Sequence, residues 1–196
     1  NSASISGTED VGGILGQGEF DTFARCVNKG TVTCTGNRIG GICGYIQSSV
    51  ISECVNYGDV AGQNYSGGIG GQGSVFVSCI NHGNIQGVNY VGGISGTSSY
   101  YSNYYSSDCT NYGAVTGKTT VGGTFGKLGS AVELLRNYGN VEGVSNVGGI
   151  SGIYAQTNKS ITQCINEANI TGTNNIGGIV GYFDVSGVKY TLTLSN

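Results

Sequence analysis

The chain reads as an all-β protein, a right-handed parallel β-solenoid with three short strands per coil and about six and a half coils. Three observations predict this: a six-residue cluster that recurs at near-constant spacing, a second signature at a fixed distance from it, and a glycine content that only such a period explains. The cluster [VI]GG[IT]xG starts at Val11, Ile39, Val91, Val121, Val147 and Ile176, with a serine-led variant at Ser66, so successive starts lie 28, 27, 25, 30, 26 and 29 residues apart. The signature Cys-x-Asn-x-Gly-x-[VI] runs from Cys26 to Val32, Cys54 to Val60, Cys79 to Ile85 and Cys109 to Val115. A fifth copy puts Leu135 in the cysteine place, and a sixth, Cys164 to Ile170, puts Ala168 in the glycine place. Glycine supplies 38 of 196 residues and proline none. Without a period such a composition would suggest disorder, so the repeat decides the class.

Helix is disfavoured because glycine and β-branched residues recur throughout and no stretch sustains an i, i+3, i+4, i+7 apolar pattern. Short strands fit better: one around GG-Ile, one ending at the cysteine, such as Val50 to Val55, and one around the later valine, Asp59 to Ala61. From the cysteine place to the next cluster is 12 residues in five units and 13 in the first. From the last glycine of the cluster to the cysteine the distance ranges from 8 to 13. Length variation is thus confined to one loop per coil. The division expected is a cap or edge over residues 1–10, a solenoid over 11–184 with repeats starting at 11, 39, 66, 91, 121, 147 and 176, and a terminal strand or cap over 185–196. At about 4.8 Å per rung the rod is roughly 30 Å long.

Each column has an expected role. Val11, Ile39, Val91, Val121, Val147 and Ile176 should face inward, as should Ile14, Ile42, Ile69, Ile94, Ile150 and Ile179, and Val32, Val60, Ile85, Val115, Val141 and Ile170. The glycines are expected at corners that need a positive φ or a close backbone approach. Asn28, Asn56, Asn81, Asn111, Asn137 and Asn166 fill one column, and an amide stacked at rung spacing can donate to its neighbour's carbonyl. A structural asparagine ladder is therefore expected. Cys26, Cys54, Cys79, Cys109 and Cys164 share a column with Leu135, which argues for a buried apolar thiol stack. Cys34 and Cys43, outside that column, are the expected reactive or paired thiols.

Chemistry-bearing constellations are few. There is no Cys-x-x-Cys pair and one histidine, so no metal site and no cofactor are expected, and no catalytic residue is assigned. His82 falls on an exposed corner, where it is expected to have no partner. Glu53 and Asp108 share a column two rungs apart and read as surface acids. The 11 acidic and 8 basic residues are scattered singly, which argues against nucleic acid. No apolar run approaches the roughly 20 residues of a membrane span, and the first ten residues lack the pattern of a signal peptide. Tyrosine is more suggestive: Tyr57, Tyr112 and Tyr138 at corners, Tyr65 and Tyr90 before successive GG clusters, and Tyr100, Tyr101, Tyr104 and Tyr105 in the longest variable loop. Tyrosine gives rigid amphipathic contact area at low entropic cost, so a binding patch for glycan or protein is expected there.

The repeated [VI]GG[IT]xG followed by C-x-N-x-G-x-V resembles the GLUG-type repeat over roughly Val11 to Gly181. The departures are Ser66, Thr124, Leu135 and Ala168. That repeat occurs in large bacterial surface proteins and in non-catalytic regions of immunoglobulin-A-cleaving metallopeptidases. The resemblance implies an extracellular or cell-surface, adhesin-like setting, while the peptidases' H-E-x-x-H motif has no counterpart here. The expectation is a non-enzymatic structural or adhesive segment that presents tyrosines to a host or environmental glycan or protein and associates end to end or within a larger chain. The alternatives are a carbohydrate-binding accessory module of a surface hydrolase and a β-helix enzyme acting on polysaccharide.

Overall fold

The computed structural model describes residues 1–19, 22–73, 75–98, 105–155 and 160–184. None of these residues is helical, and the paired strands run parallel, each to its counterpart one coil away. One coil can be followed through Asn64–Gly67, a tight turn at Gly68 and Ile69, Gly70–Gly73, Val75–Val77, a bend at Ser78, Ile80–Asn81 and Ile85–Gln86. Stacking builds three faces: a 12-stranded sheet, a 7-stranded sheet, and two 6-stranded sheets side by side. Corners fall inside two of these faces, so the coil is cut into five short strands rather than three.

Register keeps like residues in columns. Val32 pairs with Val60, Val60 with Ile85, and the series continues through Val115 and Val141 to Ile170. Ile39, Ser66, Val91, Val121, Val147 and Ile176 form a second series. Inward columns are fully buried in the middle coils, but Ile14 and Ile176 are 40% and 43% exposed. Among the described residues each sits on an end rung, next to a neighbouring rung on one side.

The interior holds two hydrophobic cores. One contains Ile39, Val60, Ile85, Val91, Val115, Val121, Val141 and Val147. The other contains Ile42, Ile51, Cys54, Ile69, Phe76, Cys79, Ile94, Phe125, Leu135 and Ile150. Between them the GG turn reaches across the coil to the asparagine column. A Cβ added to Gly68 would lie 2.3 Å from Asn81 Cγ, and one on Gly93 would lie 2.2 Å from Asn111 Cγ. Glycine is required there because any side chain would displace the amide. The third glycine of the cluster serves a second approach: a Cβ on Gly71 would come within 2.5 Å of the Ile39 nitrogen in the preceding coil.

Each buried amide is satisfied twice as donor. Asn81 Nδ2 donates to its own chain at Gly83 O (2.7 Å) and to Asn111 Oδ1 in the next coil (2.8 Å), while its Oδ1 accepts from Asn56 Nδ2 (2.8 Å). The pattern repeats from Asn28 to Asn166. It also extends one rung lower, where Asn1 Nδ2 donates to Asn28 Oδ1 and Ala3 O. Ile5–Gly12 pairs with Val32–Gly40 in the column register, Ile5 opposite Val32 and Val11 opposite Ile39. Residues 1–12 thus form part of a further coil, and Asn1-Ser2-Ala3-Ser4-Ile5 is its copy of Asn166-Glu167-Ala168-Asn169-Ile170.

Positive φ is carried by residues other than glycine, contrary to expectation. Among the described residues fourteen that are not glycine have φ between 51 and 60°. Seven precede the GG cluster (Asp10, Arg38, Tyr65, Tyr90, Thr120, Asn146, Asn175) and six precede the cysteine (Arg25, Glu53, Ser78, Asp108, Leu134, Gln163). Each marks a corner where one residue in the left-handed region redirects the strand, while the glycines answer to crowding.

Two stability predictions arise here. Asn81→Ala strands the Asn56 donor and the Gly83 and Asn111 acceptors in a dry interior, so it should cost about 3 kcal/mol in chemical denaturation, with amide-exchange protection lost first in the coils around it. Thr120→Asn relieves a β-branched residue at positive φ and should stabilise by about 1 kcal/mol, read as a raised melting temperature.

Candidate functional site

Outside the first of these faces, an open groove of about 560 Å³ is lined by Glu9, Asn37, Arg38, Asn64, Tyr65, Asn89 and Tyr90. Register explains the grouping. Glu9, Asn37, Asn64 and Asn89 stand on four successive rungs, two residues before each GG cluster, and Thr119 stands on the fifth. They form a second, outer ladder: Asn37 Nδ2 donates to Glu9 Oε1 (2.8 Å), Asn64 to Asn37 Oδ1 (2.7 Å), Asn89 to Asn64 Oδ1 (2.8 Å), and the Thr119 hydroxyl to Asn89 Oδ1.

The adjoining column of positive-φ residues supplies the other wall. Tyr65 and Tyr90 stack with centroids 5.0 Å apart and planes 7° from parallel. Below them the Arg38 guanidinium binds the Asp10 carboxylate through Nε and Nη2 (2.5 and 3.0 Å) and lies 4.8 Å over the Tyr45 ring. Both acids of the groove are therefore engaged, Glu9 by an amide and Asp10 by arginine. The sequence singled out Tyr65 and Tyr90 but not Asn37, Asn64 and Asn89. The available signal was their recurrence two places before GG.

The corner tyrosines come together with the histidine. Tyr57, His82, Tyr112 and Tyr138 stack in order, with centroids 4.8, 5.0 and 5.2 Å apart and interplanar angles of 3, 5 and 13°. The rings lie nearly parallel, one above another at rung spacing, each with a face turned to its neighbour. His82, expected to be partnerless, is held between two tyrosines. Tyr105 is 51% exposed, and Tyr100, Tyr101 and Tyr104 lie outside the described residues. Asp108 binds Arg136 (3.1 Å) and accepts from Ser78 Oγ (3.2 Å), which sits on the rung between it and Glu53. Among the described residues no three His, Cys, Asp or Glu side chains gather as a metal site.

The thiol column lies inside. Cys54, Cys79 and Cys109 are fully buried, Cys26 and Cys164 are partly covered, and Leu135 fills the sixth place in the same core. Each thiol donates to the carbonyl two residues earlier at 3.2–3.6 Å, Cys54 to Ser52 O for example. Burial pushes Cys164 up to about 11 and raises Cys26, and the contact with Cys79 raises Cys54. Cys34 and Cys43 are not the reactive pair the sequence suggested. Both are buried, burial raises both, and they belong to different cores on opposite sides of the asparagine partition. Alkylation needs access to the thiol, and Cys43, Cys54, Cys79 and Cys109 are all fully buried, so at neutral pH the four should stay unmodified in the native protein and react in denaturant, as read by mass spectrometry.

No protein-family model and no curated protein sequence matches the chain. A crystal structure from Bacteroides ovatus, described as a "putative immunoglobulin A1 protease", is similar to it in fold, with a TM-score of 0.51 at 17% identity, over 92% of this chain and 68% of that one. At that identity the likeness is one of fold alone.

Proposed function

We propose that the chain is a non-enzymatic, extracellular repeat segment of the GLUG type that holds a ligand-binding face on a rigid rod. The observation that carries this reading is the groove beside Tyr65 and Tyr90, where stacked aromatics, a line of side-chain amides and a neutralised arginine meet on the surface. That combination of ring edges and paired amide donors and acceptors suits a polyhydroxylated ligand. Against catalysis stands the use already made of the acids: Glu9 accepts from Asn37, Asp10 is bound by Arg38, and Asp108 is bound by Arg136. The surface setting is supported by the repeat's resemblance to segments of large bacterial surface proteins. No helix among the described residues is long and apolar enough to cross a membrane.

The test is a glycan array read with three proteins: the native chain, Tyr65→Ser with Tyr90→Ser, and a variant with Tyr100, Tyr101, Tyr104 and Tyr105 all changed to serine. Binding lost in the first variant and kept in the second is expected. Loss only in the loop variant would move the site to that loop, and silence from all three folded proteins would remove the glycan reading in favour of a plain spacer.

A further inference from the structure

We propose that the groove takes a neutral, linear, equatorially linked glycan lying along the solenoid axis, with one sugar unit on each rung. This rests on the reading of that face as glycan-binding and adds the ligand's class, direction and length. The first argument is the period. The groove's polar groups repeat by rung, Glu9, Asn37, Asn64 and Asn89, at the inter-strand spacing of about 4.8 Å. An extended peptide along the same line advances about 3.3 Å per residue and would fall out of step within two rungs. An equatorially linked pyranose is close to one rung in length and stays in step along the groove.

The second argument is residual hydrogen-bonding capacity. Each amide of the outer ladder uses one of its two N–H groups to reach the rung below and one carbonyl lone pair to receive the rung above. A second N–H and a second lone pair are left on each of the three asparagine rungs, Asn37, Asn64 and Asn89, side by side and fixed by the ladder itself. Neighbouring hydroxyls of a sugar, each both donor and acceptor, complement that pair. Because the ladder already orders these side chains, little entropy remains to be lost on binding.

Charge selects against acidic sugars. Among the described residues Arg38 is the one cation lining the groove, and it is bound through two nitrogens to Asp10. Glu9 closes the same end with a further negative charge, so a uronate or sialate would meet repulsion without a free counter-charge. Tyr65 and Tyr90 turn their edges and phenol groups to the ligand, since each covers a face of the other.

The experiment is calorimetric titration of the whole chain with cello-, xylo-, manno- and chito-oligosaccharides of two to six units, beside malto-oligosaccharides, whose axial linkage makes the chain coil. In at least one equatorial series the affinity should rise about five-fold per added unit up to four and then level off, with the malto series weaker throughout. Asn64→Ala cuts the groove in the middle and should reduce tetramer affinity to that of the dimer. Tyr65→Ser, which leaves the ladder whole, should weaken every length alike. Binding that stops improving after one or two units, or a preference for branched termini, overturns the axial arrangement while leaving a glycan-binding face. No response to any series, with other glycans still captured on the array, overturns the ligand class alone. No glycan bound in either format removes both.

Discussion

The contact between the GG turn and the buried asparagine column is the constraint on which the rest depends. It sets two distances at once: the second glycine of the cluster lets the turn reach the amide, and the amide fixes the rung height by bonding to its counterpart. A slip of one residue would bring the next side chain against Asn81 and expose a row of unsatisfied amides, so register is specified by polar groups as firmly as by the valine and isoleucine columns. The cost of burying an amide is met because its two N–H groups both find acceptors inside the column. The partition divides the interior into two narrow cores, one almost entirely of valine and isoleucine, the other with Phe76 and Phe125 among its aliphatic residues.

Each coil touches only its neighbours, which makes stability a sum over adjacent contacts. The half of the repeat from cysteine to GG carries the asparagine, the valine and the partition, and it barely varies in length. The other half varies freely because closing a slightly longer surface loop costs little. Ser66, Thr124 and Leu135 show what the columns tolerate. Thr124 answers its burial by donating to Ile150 O (2.8 Å), Leu135 replaces a thiol by apolar volume, and the Ser66 hydroxyl is buried without a partner.

Much of this was legible in the sequence, for a reason visible in particular residues. Asn28 to Asn166 and the cysteine column repeat the same side chain because each performs the same inward task on every rung. The corners were not legible. Arg25, Glu53, Ser78, Asp108, Leu134 and Gln163 share a positive φ and little chemistry, since the surrounding ladder imposes the conformation whatever side chain is present. The outer ladder was hidden by substitution: Glu9, Thr119 and Ser145 interrupt the asparagines, and a hydroxyl or carboxylate can take one bond of an amide without resembling one. Asn1 to Ile5 escaped notice because Ala3 stands where glycine was sought, although Ala168 had already shown that exchange. Cys34 and Cys43 misled because standing outside a repeated column says nothing about burial.

The two asparagine ladders run in opposite senses along the rod. Inside, every amide donates towards the C-terminal end, from Asn1 through Asn28 to Asn166. Outside, Asn89, Asn64 and Asn37 each donate towards the N-terminal end. Each column is a string of aligned dipoles, and reversing one member would set N–H against N–H on one side and oxygen against oxygen on the other. A column can therefore change sense only as a whole. Over the coils from Glu9 to Thr119, where both are present, the two strings are polarised in opposite senses and their fields offset each other.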